Sequence, residues 1–419
     1  MLRGASPPAA PAPDHHHPGR SGPPVIRLSL DVTAVPVDPR GAGRYTLELA
    51  RALSRRDDIA LTLLARSADA TRWSSLAPAA SVLAAAPGPR PLRLAWEQWA
   101  MPAVLRRQPL DVHHGPHYTM PERARLPMVV TVHDLTFFDH PDWHERSKVA
   151  FFRRAIRKAA ARADVLVCVS HATARRLEDL LQPRARVVVA PHGIDHAQFH
   201  PGLLGGDAGG AGEAGHAARP GGAGDAELLA GVGIRPPYVA FLGTVEPRKG
   251  LDLLVAAFDR VAEAHPEHRL VVAGGQGWGA GPVESAISAM AHPSRLVRTG
   301  YLADPVVPAL LRQASVVVYP ARAEGFGLPV VEAMACGTPV ITTAGSVMDE
   351  LADGAATTFP AEDVTALAGL IDAALSGSAG GTRGESVRKG IEVASRYTWA
   401  ASAEAHVAAY RLAMGAGAG

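Results

Sequence analysis

The sequence predicts an α/β protein built from two doubly wound domains that face a cleft, and three observations carry that prediction. Short β-branched runs alternate with amphipathic stretches from Val25 onward, a Gly/Ala-rich segment interrupts the alternation at Pro201–Glu227, and the same alternation restarts beyond it. A chain of 419 residues is also too long for one ordinary core.

In the first half, VIRLSLDVTA reads as a strand, GAGRYTLELARALSRR as an amphipathic helix and IALTLLAR as a second strand. DVHHG, MVVTVHD, VLVCVS and RVVVAP follow as short apolar strands, with helical stretches between several of them. In the second half, YVAFLGT is a strand, LDLLVAAFDRVAEAH a helix and RLVVAGG a strand. VVPALLRQA then supplies a helix, and SVVVYPA and PVITT two more strands. The expected divisions are a proline-rich disordered tail at 1–24, a first domain at 25–200, a flexible linker at 201–227 and a second domain at 228–397, with a last helix at about 398–414. Ligands of such paired domains bind beyond the carboxyl ends of the strands.

Composition narrows the function. The net charge of +2 argues against a dedicated nucleic-acid binder. Cys168 and Cys336 have neither metal-ligand nor disulfide-framework spacing, which fits a reducing compartment. No apolar run approaches the roughly 18 residues of a membrane span, and the amino-terminal stretch lacks a hydrophobic signal core. The expectation is a cytoplasmic protein.

The stretch EGFGLPVVE, Glu324 to Glu332, carries the most chemistry. It follows the SVVVYPA strand, and Pro329 suits the first turn of a helix. Gly325 and Gly327 let backbone approach a ligand, and the N–H groups at the helix start form an anion site. Glu324 lies before the loop and Glu332 is expected in the first helical turn. Carboxylates accept hydrogen bonds only, so the pair suits sugar or ribose hydroxyls on either side of a phosphate. The alternative is a glutamate favoured by the helix dipole beside an unrelated loop acid, and spacing alone does not choose.

FLGTVEPRKGLDLL places Arg248 and Lys249 between a strand and a helix, which suits a diphosphate or, taken alone, an exposed basic turn. RGAGRYT is a glycine loop entering a helix, but it lacks the third glycine of a dinucleotide fingerprint. VTVHDLTFF sets His133 and Asp134 at the carboxyl end of a strand, where His133 could touch a sugar hydroxyl or move a proton, although a lone histidine is more often structural. DVHHGPHY adds three histidines without a zinc-binding His-Glu-x-x-His helix. RSKVAFFRRAIRKAAARAD is a basic helix, read as a solvated face over a packed stripe in preference to a lipid-docking one.

Together with VSHATARRL, PHGIDHAQFHP and the closing YTWAASAEAHVAAYRLA, these motifs resemble, in order and spacing, the retaining glycosyltransferases of family four. The resemblance covers nearly the whole chain after the tail. It implies the GT-B fold, two Rossmann-like domains facing a cleft, with the last helix crossing back to the first domain. It implies a hexosyltransferase whose substrate is a nucleotide sugar, with neither cofactor nor metal. Glu324 would contact the donor sugar with the backbone around Gly325, Phe326, Gly327 and Leu328, and Glu332 would hold the ribose. Arg248 and Lys249 would neutralise the leaving diphosphate, Gly41, Gly43 and Gly243 would line the donor site, and His133 would sit against the transferred sugar. GRYT, VHDL and GTVEPRKG look closest to bacterial mannosyltransferases of polysaccharide assembly, which implies GDP-mannose as donor and a glycan or lipid-linked acceptor. The resemblance is compatible with peripheral contact at the inner membrane face. A UDP-sugar donor, or a non-catalytic nucleotide-sugar-binding subunit, is the alternative. SVMDELADGAA departs from the Pro-Glu pair common in relatives, and the long Gly/Ala insertion is unusual.

Overall fold

The computed structural model describes residues 25–202, 222–377 and 383–415. The tail at 1–24 and linker residues 203–221 lie outside this description.

Two parallel sheets form the framework, as the alternation predicts. The first holds β1 (Ile26–Asp31), β2 (Ile59–Arg66), β3 (Ser81–Ala86), β4 (Val112–Gly115), β5 (Met128–Val132), β6 (Val165–Cys168) and β7 (Arg186–Val189), in the order β3-β2-β1-β4-β5-β6-β7. The second holds β8 (Tyr238–Leu242), β9 (Arg269–Ala273), β10 (Leu296–Gly300), β11 (Val316–Tyr319), β12 (Val340–Thr343) and β13 (Thr357–Phe359), in the order β10-β9-β8-β11-β12-β13. Strand order reverses beside β1 in one sheet and beside β8 in the other. Such switch points open a crevice at the carboxyl edge, which is where a ligand fits.

Helices cover the faces of the sheets because their apolar residues recur at helical spacing. In Ala42–Ser54, Tyr45, Leu49 and Leu53 are fully buried one turn apart and pack with Leu28, Leu30 and Leu63 of β1 and β2. Each such leucine contributes about 1.5–3 kcal/mol relative to exposure. The helix Trp399–Ala413 comes after the second sheet in sequence, yet Ala403, Val407 and Tyr410 pack in the core of the first. Thr398 caps it by accepting from the Ala401 N–H at 3.0 Å.

One expected boundary needs correction. Residues 222–227, read as linker, belong to the helix Gly222–Gly231. Leu229 anchors that helix in the second core, and buried Asp225 takes a two-armed contact from Arg312, both N–O distances 2.7 Å. Glycine and alanine composition hid a segment that tertiary contacts hold in place. Asp225→Ala is expected to lower stability by about 2 kcal/mol, because Arg312 keeps only its weaker bonds to the Gln198 and His200 carbonyls. An unchanged melting temperature would show that the pair contributes nothing.

Candidate active site

β8 and β11 are hydrogen-bonded neighbours, so the loops after them emerge side by side. After β8 the chain forms a short turn, Pro247–Lys249, and enters the helix Leu251–Val261. After β11 comes Glu324. Arg248 Nη1 lies 2.9 Å from Glu324 Oε2, and Lys249 Nζ contacts Glu324 Oε1 directly. Tyr319 Oη completes the cluster, 2.5 Å from Lys249 Nζ and 2.9 Å from Glu324 Oε1. Lys249 and Glu324 side chains are each 10 % exposed. Burial pushes the Lys249 pKa down and the Arg248 charge adds to that, while Glu246 and Asp134 oppose it. An arginine and a buried lysine thus meet at a helix start, with the Glu324 carboxylate between them.

Arg322 braces this turn. Its backbone N–H donates to the Arg248 carbonyl at 2.8 Å, and its guanidinium reaches the Pro247 carbonyl and both Asp252 oxygens. Gly243 closes β8 and borders the Phe241 and Tyr319 rings.

The glycine loop sits against the first domain. A Cβ at Gly325 would fall 1.7 Å from the His133 carbonyl oxygen, so only glycine fits there. The Gly325 carbonyl accepts from Ser170 Oγ at 2.9 Å and Thr173 Oγ1 at 3.3 Å. Phe326 stacks on His192 at 4.6 Å, and Gly327, at φ +102°, turns the chain into the helix Leu328–Ala335. Pro329 lies in the first turn as expected, but Glu332 does not. It is the fifth helical residue, in the second turn, because the helix starts one residue earlier than the proline suggested. Glu332 is 4 % exposed and faces Arg44 of the first domain at 3.6 Å. Burial raises its pKa and Arg44 opposes that. Gly41 precedes the helix carrying Arg44, and Gly43 lies in its first turn against Pro36 and Pro39. Arg40 lies over the Tyr301 ring at 3.8 Å, a second cross-cleft contact.

Sequence gave no hint of a third contact. Both Glu350 oxygens accept, at 2.8 Å each, from the His171 and Ala172 N–H groups at the start of the helix His171–Leu181. Glu350 thus caps, across the cleft, a helix belonging to the other domain. It lies in the SVMDELADGAA segment.

His133 is buried among Tyr45, His117, Tyr118 and His192. Its Nε2 lies 2.8 Å from the Pro116 carbonyl. A carbonyl only accepts, so Nε2 carries the proton and Nδ1 is left as an acceptor. Burial, with His117 adding to it, pushes the His133 pKa down to about 4. The imidazole is neutral at pH 7 and suits a hydroxyl donor. His113 and His114 are structural: His113 bonds Ser29 within the sheet, and His114 joins Thr131 of the sheet to Tyr410 of the last helix. Burial also lowers His113 to about 3 and His406 to about 4. Because these folded values lie below the ordinary 6.5, the unfolded chain binds more protons as pH falls, and stability is lost on the acid side. Melting temperature should therefore drop from about pH 6.5 to about pH 5, before most carboxylates titrate. A flat profile there would contradict the buried-neutral assignment.

In the basic helix Arg146–Arg162, Ile156 is fully buried and Phe152 partly so, while Arg154, Arg157 and Lys158 are exposed. Among the described residues, His265, Glu267 and His268 are a group that could hold a metal ion. They precede β9, at the amino edge of the sheet, opposite Arg248 and Glu324.

Two family models match this chain. The one described as "Glycosyltransferase Family 4" spans residues 39–198, and "Glycosyl transferases group 1" spans 231–391. The chain is a family-4 glycosyltransferase.

This glycosyltransferase is similar to O-antigen chain mannosyltransferase B of Escherichia coli, at 25 % identity over 77 % of the chain and 78 % of the relative. It is also similar to the D-inositol 3-phosphate glycosyltransferase of Acidothermus cellulolyticus, at 28 % identity over 90 % of the chain and 86 % of the relative. Its fold matches sucrose-phosphate synthase from Thermosynechococcus elongatus, with TM-score 0.71 at 20 % identity, covering 93 % of this chain and all of that one. It also matches Anabaena HepE, solved with UDP and glucose, with TM-score 0.67 at 18 % identity, covering 91 % and 98 %. The fold is GT-B. The transferase brings Arg248, Lys249 and Glu324 into one cluster and sets Gly325 against the His133 carbonyl. Glu332 lies further along the helix, against Arg44.

Proposed function

We propose that this glycosyltransferase moves a hexose, mannose from GDP-mannose, to a glycan or lipid-linked acceptor with retention of configuration. The observation that carries the reading is the cluster at the switch point of the second sheet, where Arg248 and Lys249 converge at a helix start. A departing diphosphate develops charge, and paired cations in a water-poor site stabilise it. In front-face departure the diphosphate itself accepts the acceptor proton, so leaving-group stabilisation carries the reaction. His133 and Glu324 would contact sugar hydroxyls, and Glu332 the ribose. The mannose assignment is supported by the mannosyltransferase among the relatives. The UDP held by HepE makes UDP sugars the comparison arm. The enzyme would work at the cytoplasmic side, where exposed Arg154, Arg157 and Lys158 form a solvated basic face compatible with peripheral membrane contact. No described helix is long and apolar enough to cross a membrane.

The test is calorimetry with GDP-mannose, UDP-glucose, GDP and UDP, followed by turnover of whichever donor binds. Binding without any transfer or donor hydrolysis would favour a non-catalytic subunit. Because the Arg248–Lys249 pair supplies the charge a metal would otherwise supply, excess EDTA should leave turnover within about twofold. Loss on chelation, restored by Mg²⁺ or Mn²⁺, would overturn the metal-free reading.

A further inference from the structure

Beside Arg248 the cleft holds a cavity of about 270 Å³. Trp143, Asp134 and Glu145 line it from the first domain, Trp278 and Glu246 from the second. The Trp278 indole is 62 % exposed. One face of Trp143 is covered by the nearly parallel His140 ring at 3.8 Å, which leaves the other for a ligand.

The charges of this cavity are unequal. Neither of its two cations is left for an acceptor phosphate: Lys148 donates to Glu145 at 2.9 Å, and Arg248, held by Glu246 and Glu324, is the one that the donor diphosphate takes up on the transfer reading. Burial lowers the pKa of His144, so that ring is neutral. Asp134 accepts from the Thr136 N–H and hydroxyl, both on Oδ1. The Tyr118 hydroxyl, which accepts from the Asp134 N–H at 3.1 Å, also lies against this carboxylate. The lining thus offers carboxylate acceptors and indole faces, with no uncommitted cation for a phosphate.

A pyranose matches both, since its C–H face is apolar and its rim carries hydroxyl donors. A cavity at the small end of ligand sites, which begin at roughly 300 Å³, suits one ring. We propose that this cavity takes the terminal sugar of the acceptor as an uncharged ring, packed on Trp143 and Trp278 with hydroxyls on Asp134, Glu145 and Glu246, and that it rejects phosphorylated acceptors. The Asp134 carboxylate, which lines the cavity with Arg248, orients the attacking hydroxyl beside the departing diphosphate. The inference rests on the glycosyl-transfer reading and names its acceptor.

The experiment is saturation-transfer NMR on the full chain with methyl hexopyranosides and with D-inositol 3-phosphate, in the presence of GDP or UDP. The hexoside should show contact through its ring C–H protons, and the inositol phosphate should not. Trp278→Ala, at an exposed position that folding tolerates, should weaken hexoside binding at least tenfold and leave nucleoside-diphosphate affinity within twofold. Glu145→Gln, which releases Lys148, should raise affinity for the phosphorylated probe. Tighter binding of inositol 3-phosphate than of hexosides by the unmodified protein, or unchanged hexoside affinity in Trp278→Ala, would overturn the assignment. Failure of the transfer reading would appear separately, as a protein that binds no nucleotide in calorimetry without any acceptor.

Discussion

Lys249→Met is expected to lower kcat by roughly ten- to a hundredfold while the protein stays folded, and Arg248→Ala should fall in the same range. The lysine reaches Tyr319 and Glu324 in a site that excludes most water, and its side chain is only 10 % exposed. A charge-assisted contact to a leaving diphosphate contributes about 1.5–3 kcal/mol, which corresponds to about one to two decades in rate. Methionine keeps the length and apolar stem of lysine, so packing around Tyr319 is preserved while the charge is lost. The contact strengthens as charge develops on the departing phosphate, and the loss should therefore appear in kcat at saturating donor. Melting temperature serves as the control. An uncharged residue at either position with the full transfer rate would remove the leaving-group role from this pair.

The sequence made the interior legible and the periphery less so. Every strand read from a β-branched run is present, whereas β3, β10 and β13 went unread. All three are edge strands, half-exposed and carrying residues such as Ser81, Arg298 and Thr357 that interrupt an apolar pattern. The helix Gly222–Gly231 was hidden for a different reason. Its glycines and alanines have no visible periodicity, and a pairing 87 residues away, Asp225 with Arg312, holds it. In the site, Arg248, Lys249, Glu324 and the glycine loop could be found because each sits in a strand–loop–helix unit whose logic is local. Arg44 on Glu332, Glu350 on the His171 helix and the Trp143–Trp278 cavity could not, since each joins residues from opposite domains. No local pattern encodes a contact that exists only once two cores have formed and met.

The two glutamates of the central motif should separate by the part of the donor they serve. Glu324 neutralises Arg248 and Lys249 in this structure, so an entering diphosphate competes with it for the same two cations. Glu324→Ala should then bind free GDP or UDP at least as tightly as the unmodified protein, while transfer falls at least about a hundredfold through the lost sugar contact, on the order of 3 kcal/mol. Glu332 stands elsewhere, on the second turn of its helix and opposite Arg44, where a ribose diol would replace a 3.6 Å ion pair with hydroxyl donors. Glu332→Ala should weaken donor and free nucleoside diphosphate alike, by roughly tenfold for one charged hydrogen bond. A group felt equally in ground and transition states appears in KM, and one felt at the reacting sugar appears in kcat. Calorimetry with both nucleotides, beside steady-state kinetics on both variants, measures the two sides of this division. Equal loss of nucleotide affinity in the two variants would contradict it. The pair would then act mainly to hold the Gly325–Gly327 loop in shape, a role that the Ser170 and Thr173 hydroxyls share by donating to the Gly325 carbonyl without either carboxylate.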